Sequence, residues 1–169
     1  MRHIADSAVW EKNGNWRTGE GPGPYYLFKG NELHGKKIGF VGFGAVGRAA
    51  AVLFKAFGTE IVFYDPYVDK ADGARKVSLE ELFSTCDIVS IHLPVNDSTR
   101  KMIGAEEIAL MKPTAIFLNT ARSAVVDMDA LYVAVRDKKI GGAVMDVMEH
   151  EPPTETDLEK WKLDNVLLT

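Results

Sequence analysis

The chain has 169 residues, of which 46% are hydrophobic and 26% are charged, and its formal net charge at pH 7 is −4. This length suits one domain with a full core and is too short for two of ordinary size, while the acidic balance gives no reason to expect nucleic acid. No apolar run approaches the roughly 18 residues of a membrane span, no signal-peptide core is present, and the single cysteine, Cys86, fits a reduced compartment, so we expect a cytoplasmic protein.

The first predicted element is a helix over about residues 3–13. The glycine- and proline-rich stretch after it carries four large rings, at Trp16, Tyr25, Tyr26 and Phe28. A solvated linker would not normally hold so many large rings. We therefore expect residues 1–31 to form a helix and an arm whose rings pack against another protein surface. A second copy of the chain is one candidate for that surface.

From residue 32 onward, short apolar runs alternate with helical patterns. The predicted strands are residues 37–41, 60–64, 88–91, 115–118, 142–146 and 166–168. The predicted helices are residues 46–57, 78–84, 105–111 and 128–138, with a capping box from Ser78 to Glu81 and a cap at Asp127. This alternation specifies a parallel sheet with right-handed crossovers. We predict an α/β fold for residues 32–169, a Rossmann-type doubly wound parallel sheet in three layers.

The segment Gly42-Phe43-Gly44-Ala45-Val46-Gly47 follows the first predicted strand and opens a predicted helix. In this context G-x-G-x-x-G is a dinucleotide-binding fingerprint. The first glycine permits a tight turn, the second lets the backbone approach a pyrophosphate, and the third lets helix and strand pack closely. Free N–H groups at the helix start attract the phosphates. We expect cofactor contacts from Gly42, Gly44, Ala45, Val46 and Gly47.

An acidic residue stands where the ribose of such a cofactor should lie. Asp65 follows the second predicted strand, 18 positions after Gly47, close to the usual spacing of about 20. Its carboxylate would accept hydrogen bonds from the ribose hydroxyls and repel a 2′-phosphate, and Pro66-Tyr67-Val68 brings no arginine to neutralise that phosphate. The sequence favours NAD over NADP; the alternative is a surface aspartate that closes a strand.

Polar residues also follow the later strands, and the ligand of an open parallel sheet lies beyond the carboxyl ends of its strands. His92 and Pro94 follow the third predicted strand, Asn119 and Arg122 follow the fourth, and Asp146 ends the fifth. These strand ends are expected to converge on one crevice.

Two of these residues have a second interpretation. The guanidinium of Arg122 could hold a carboxylate or polarise a carbonyl, or it could be a surface arginine paired with Asp127 or Asp129. His92 could contact the cofactor or serve as a packing residue.

Four blocks, in this order, resemble the cofactor domain of the D-2-hydroxyacid dehydrogenases, the family that includes D-lactate, D-3-phosphoglycerate and glyoxylate/hydroxypyruvate enzymes. The blocks are residues 33–44, Asp87-Ile88-Val89-Ser90-Ile91-His92-Leu93-Pro94, the segment from Met111-Lys112-Pro113 through Asn119-Thr120-Ala121-Arg122 to Val126-Asp127, and Ala143-Val144-Met145-Asp146-Val147 followed by Glu151-Pro152. The third block is the most diagnostic. The resemblance covers nearly the whole chain and implies the NAD-binding part of an oxidoreductase of D-2-hydroxy acids.

The resemblance also implies a role for each matching residue. Arg122 would hold and polarise the 2-oxo acid, and Glu151 would hydrogen-bond the histidine that passes the proton and raise its pKa. Asp146 would orient the nicotinamide carboxamide beside the backbone of Thr120 and Ala121. No metal is implied.

The sequence departs from the family's pattern at its end. The family's catalytic histidine belongs to a threonine-proline-histidine run after the last strand, whereas this sequence stops at Thr169. None of the four histidines, His3, His34, His92 and His150, matches that motif. We expect a truncated NAD-binding domain that lacks the substrate domain and is inactive by itself. Ser123, where the family often has glycine, is a smaller departure.

The resemblance further implies a homodimer, formed through the cofactor domain and the N-terminal arm, and a small 2-oxo or 2-hydroxy acid as substrate. Two alternatives remain open. One is a formate dehydrogenase, whose family has glutamine in place of Glu151. The other is a dehydrogenase-like transcriptional corepressor that uses bound NAD to favour self-association. The resemblance implies that loops of the substrate domain largely set the choice of acid.

Overall fold

The structure, a computed structural model, describes residues 3–15 and 24–169. The chain divides into two compact units, one that ends at His34 and one formed by Gly35–Thr169. The first unit contains helix α1 (Ile4–Lys12) and the single turn α2 (Pro24–Leu27), so the predicted N-terminal helix is confirmed. The rings of Phe28 and Trp10 meet edge to face, with centroids 5.7 Å apart. Trp16 and the side chain of Tyr25 lie outside the described residues.

The second unit is a parallel sheet of seven strands in the order β3-β2-β1-β4-β5-β6-β7. The strands are β1 (Lys37–Val41), β2 (Glu60–Tyr64), β3 (Arg75–Lys76), β4 (Ile88–Ile91), β5 (Ile116–Asn119), β6 (Gly142–Met145) and β7 (Val166–Leu168). The helices are α3 (Ala45–Ala56), α4 (Leu79–Thr85), α5 (Ala105–Ala109), α6 (Met128–Arg136) and α7 (Glu155–Lys160), with a 3-10 turn at Ser123–Val125. The predicted α/β Rossmann-type sheet is confirmed.

Apolar strands form the centre of this unit. All residues of β4 and all but the first of β1 are buried, as expected for parallel strands that are covered on both faces. Four phenylalanines are fully buried in or beside the sheet: Phe40, Phe63, Phe83 and Phe117. The sheet is therefore a rigid platform for the loops at its carboxyl edge.

Several element bounds differ from the predicted ones for local reasons. Helix α6 ends before Lys138, whose φ of 54° cannot continue a right-handed helix. Strand β5 includes Asn119, because its backbone stays in register with Met145. The two-residue strand β3 is too short and too charged to give an apolar signal, and it was not predicted.

The two predicted helix caps have different outcomes. Asp127 Oδ1 accepts the N–H groups of Asp129 and Ala130 at 3.2 and 3.1 Å, so it caps α6. Ser78 Oγ accepts the N–H of Glu81 at 3.0 Å, but the Glu81 carboxylate pairs with Arg75 at 2.9 Å. Only half of the predicted capping box forms.

Candidate functional site

The strand ends predicted to converge lie in one row. Six residues are successive register partners across the sheet: Tyr64, Val41, Ile91, Asn119, Met145 and Leu168. The residue after each of them therefore lies at the carboxyl edge, and neighbouring strands are about 4.8 Å apart. In order along this edge the residues are Asp65, Gly42, His92, Thr120, Asp146 and Thr169. Chain folding thus brings together five of the predicted site residues from five different strands.

The three fingerprint glycines have different surroundings. Gly42 has φ of 90°, and a Cβ there would lie 2.7 Å from the carbonyl oxygen of His92. A Cβ on Gly47 would lie 2.8 Å from the carbonyl oxygen of Gly42, whereas a Cβ on Gly44 would meet nothing within 4 Å. Two glycines therefore permit close packing, and the middle one leaves open space. This pattern fits a backbone that a pyrophosphate approaches at Gly44.

Helix α3 begins in the open space beside this glycine. Gly44 is its N-cap and has no side chain to satisfy the first N–H groups, while Ala45 and Val46 are exposed. The first N–H groups of a helix have no intrahelical partner, and together with the helix dipole they favour an anion. These residues can hold the phosphates of a dinucleotide.

Asp65 is joined to the glycine turn rather than standing free at a strand end. Its Oδ2 accepts the backbone N–H of Phe43 at 2.8 Å, and its Oδ1 accepts that of Tyr67 at 2.8 Å. Each carboxylate oxygen retains a further lone pair for a ribose hydroxyl. The arrangement differs from a surface aspartate that only closes a strand, and the contact with ribose stays a prediction.

The imidazole of His92 packs against the side chain of Phe40 on β1. Its ring stacks on Phe40 at a centroid distance of 5.4 Å, and Nε2 lies 2.9 Å from Ser90 Oγ. Burial lowers the pKa of His92 below its ordinary value. These contacts agree with the packing interpretation, and a cofactor contact by His92 stays a prediction. The exposed Pro94 is tied to its own loop, because its carbonyl accepts the Thr99 hydroxyl at 2.6 Å.

Asn119 shapes the loop that carries the predicted arginine. Its fully buried side chain donates from Nδ2 to the carbonyl oxygen of Arg122 and accepts the N–H of Ala121 at Oδ1, both at 3.0 Å. The side chain is therefore committed to the turn, which leaves Thr120 exposed at the sheet edge. A cofactor contact by Asn119 stays a prediction. Sequence reasoning missed its role in the turn.

The guanidinium of Arg122 is exposed, and the two acids considered as its surface partners are engaged elsewhere. Asp127 caps α6, and Asp129 pairs with Lys160 at 2.7 Å. Arg122 Nη1 donates to the carbonyl oxygen of its neighbour Ala121. Within residues 3–15 and 24–169, none of the ion pairs includes Arg122. The guanidinium thus remains available to an anionic ligand.

The loop after β6 contains Asp146, His150 and Glu151, and each has a different partner. Asp146 Oδ1 accepts the hydroxyl of Thr169 at 3.0 Å. Glu151 Oε1 accepts the N–H of Met148 at 3.4 Å. His150 Nδ1 lies 3.0 Å from Asp157 Oδ2, so its partner is Asp157 rather than the adjacent Glu151. Hydrogen bonds from Thr154 hold the pKa of Asp157 below its ordinary value.

Other kinds of site find no support in the part of the chain that the structure describes. In those residues, no group of three or more histidine, cysteine or acidic side chains could hold a metal ion. None of their helices is long and apolar enough to cross a membrane.

Comparison with known proteins gives a consistent match. Residues 1–169 match the family described as D-isomer specific 2-hydroxyacid dehydrogenase, NAD binding domain. The chain is 40% identical to a glyoxylate reductase of Thermococcus litoralis, over 99% of this chain and 51% of that protein. It is 41% identical to a hydroxypyruvate reductase of Thermotoga maritima, over 99% of this chain and 53% of that protein.

A solved structure of a D-2-hydroxyacid dehydrogenase also matches the chain. The D-lactate dehydrogenase from Aquifex aeolicus, complexed with NAD and lactic acid, matches with a TM-score of 0.86 and 31% identity, over 99% of this chain and 54% of that one. The chain thus spans about half the length of the curated relatives it matches. These findings do not favour the formate dehydrogenase or corepressor alternatives.

Proposed function

The chain belongs to the D-isomer specific 2-hydroxyacid dehydrogenase family, as its NAD-binding domain, and we propose that the whole protein interconverts a 2-oxo acid and a D-2-hydroxy acid with NAD(H). The observation that carries this proposal is the guanidinium of Arg122. It lies in the loop after β5, at the edge that also holds the glycine turn, and its candidate carboxylate partners are engaged elsewhere. A planar guanidinium binds a carboxylate through two parallel hydrogen bonds and polarises an adjacent carbonyl.

The residues of the sheet edge fit an extended dinucleotide. Asp65 and the glycine turn would hold its ribose and pyrophosphate, while the loops after β5 and β6 would receive its nicotinamide end. When bound, NADH supplies the hydride that reduces a 2-oxo carbon. The role of the protein is to place that carbon correctly and to stabilise the charge that develops on the carbonyl oxygen.

Proton transfer requires a further group beside Glu151. A carboxylate stabilises a neighbouring imidazolium and raises its pKa, which suits a general acid near neutral pH. His150 is engaged with Asp157, so we assign this role to a histidine elsewhere in the whole protein. Glu151 is exposed and can accept such a bond.

Exposed apolar residues on α3 and at its C-cap support a homodimer. Val46, Leu53 and Phe57 are 70%, 67% and 60% exposed, and their spacing of seven and four residues aligns them along one side of the helix. Tyr26 and Leu27 are exposed in the N-terminal unit. Soluble monomers rarely leave such surfaces open, and two-fold pairing would cover them. We place this dimer in the cytoplasm, where the buried thiol of Cys86 stays reduced.

A substrate survey with the whole protein tests the proposed activity. Glyoxylate, hydroxypyruvate and pyruvate would each be supplied with NADH, with formate and NAD as the comparison reaction. We expect oxidation of NADH with at least one 2-oxo acid, and a D-configured product wherever the product is chiral. Turnover of formate alone, or of none of these acids while NADH still binds, would contradict the proposal.

A further inference from the structure

Thr169 follows the last strand of the sheet and contacts Asp146, which follows the neighbouring strand. The Thr169 hydroxyl donates to Asp146 Oδ1 at 3.0 Å, and the Thr169 N–H donates to the carbonyl oxygen of Met145 at 3.1 Å. Met145 and Leu168 are register partners. The bonds from Thr169 therefore extend the pairing of β6 and β7 past the strand ends. The hydroxyl that holds Asp146 is itself on a fixed backbone.

The contacts of Asp146 leave part of its carboxylate free. Its N–H donates to the carbonyl oxygen of Asn119 at 3.0 Å, which fixes its main chain from the other side. Among the residues that the structure describes, no donor bonds to Oδ2, and the side chain is exposed at the carboxyl edge. An ionised carboxylate is purely an acceptor. Oδ2 can therefore receive an N–H from a ligand at this edge.

We propose that Thr169 is a positioning residue of the cofactor site, whose hydroxyl holds the Asp146 carboxylate so that Oδ2 meets the N–H₂ of the nicotinamide carboxamide. The proposal rests on the proposed function, in which Asp146 faces the nicotinamide end. Without the hydroxyl, an exposed carboxylate samples several rotamers, and fixing it on binding lowers affinity. The edge strand β7 thus contributes to the reactive end of the site.

The test compares two ligands that differ at one end. NAD carries the carboxamide, whereas ADP-ribose lacks nicotinamide and keeps the pyrophosphate and adenosine. Titration calorimetry on the 169-residue chain would use Thr169→Val, which removes the hydroxyl at nearly constant shape, and Thr169→Ser, which keeps it. Thr114→Val is the matched control, because Thr114 is exposed and precedes β5 at the opposite edge of the sheet.

We expect Thr169→Val to weaken NAD binding about fivefold, the usual effect of one hydrogen bond, and to leave ADP-ribose binding unchanged. Thr169→Ser and the Thr114 control should bind both ligands like the unchanged chain. If Thr169 acts through Asp146, the pair Thr169→Val with Asp146→Ala should bind NAD no more weakly than Asp146→Ala alone.

The outcomes separate this proposal from the one on which it rests. Unchanged NAD affinity in Thr169→Val, or an equal loss for ADP-ribose, would overturn the role of Thr169. If Asp146→Ala weakens NAD selectively while Thr169→Val does not, only the role of Thr169 fails. If Asp146→Ala changes neither ligand, the placement of the nicotinamide at Asp146 fails as well.

Discussion

The Asp65 carboxylate accepts the backbone N–H of Phe43 at 2.8 Å, so the residue that follows β2 holds the glycine turn that follows β1. The second carboxylate oxygen accepts the N–H of Tyr67, which fixes the carboxylate from its own loop. Phe43 is buried and stacks on Phe63 at 4.3 Å. One side chain thus shapes the glycine turn and also stands where the ribose is expected.

The first prediction concerns this double role. Asp65→Ala should weaken NAD binding about tenfold or more, because it removes a charged acceptor. It should also reduce the difference in affinity between NAD and NADP, because the repulsion of the 2′-phosphate is lost. It should lower the melting temperature too, because the N–H of Phe43 loses its partner. Titration with both cofactors and a thermal melt measure these effects, with the exposed Asp72→Ala as control. Equal affinity of the unchanged chain for NAD and NADP would show that this interpretation of Asp65 is wrong.

The second prediction concerns Arg122 in the whole protein. Arg122→Lys should lower kcat/KM by about two orders of magnitude, because a point-like ammonium cannot make the two-pronged contact that aligns and polarises a 2-oxo acid. Steady-state oxidation of NADH measures the effect. Arg136→Lys makes the same change at an exposed arginine on α6 that pairs with Asp137, and it should leave kcat/KM unchanged. Near-normal activity in Arg122→Lys would remove the arginine from its proposed role.

The third prediction concerns the turn that carries this arginine. Asn119→Asp should lower the free energy of unfolding by about 1–3 kcal/mol, because at this fully buried position the carbonyl of Arg122 loses its donor and faces another acceptor. Urea unfolding measures the change, with the exposed Asn31→Asp as control. A variant as stable as the unchanged chain would contradict the hydrogen bonds assigned to Asn119.

The fourth prediction concerns pH. Burial lowers the pKa of His92 from its ordinary 6.5, so below about pH 6.5 the unfolded chain binds a proton that the folded chain does not. The free energy of unfolding should therefore decrease as pH falls through this window and be fully restored above it. His92→Gln keeps a polar atom near Ser90 but does not titrate. Urea unfolding at pH 7.5 and 5.5 gives the loss of stability between the two pH values, which should be smaller for His92→Gln than for the unchanged chain. An equal loss in both proteins would contradict the burial of a neutral imidazole.

The fifth prediction concerns assembly. Light scattering at micromolar concentration should report about twice the chain mass of 18.6 kDa. Leu53→Glu, in the exposed stripe of α3, should give a monomer because it places a charge within an apolar interface. Leu158→Glu makes the same change at an exposed leucine on α7, and it should leave the dimer intact. A monomeric unchanged chain would overturn the dimer proposal.

Features that depend on residues close together in the sequence could be predicted from the sequence alone. The apolar runs predicted β1, β2, β4 and β7 with the bounds that the structure has. Gly42, Gly44 and Gly47 are recognisable from their spacing between a predicted strand and a predicted helix. Helix α7 was missed, although Thr154 and Asp157 form a capping box before it, because Glu155–Lys160 has little apolar periodicity.

Partner choice among polar side chains depends on packing between distant segments. The sequence by itself determined the alternating fold, the glycine turn and the presence of polar residues after the strands, because short-range periodicity and backbone geometry control these features. Only the tertiary structure decided that Asp65 braces Phe43, that His150 pairs with Asp157, and that Asp129 pairs with Lys160 rather than Arg122. The first and third of these contacts join segments that the sheet register and helix docking bring together, whereas His150 and Asp157, seven residues apart, meet through the turn at the start of α7.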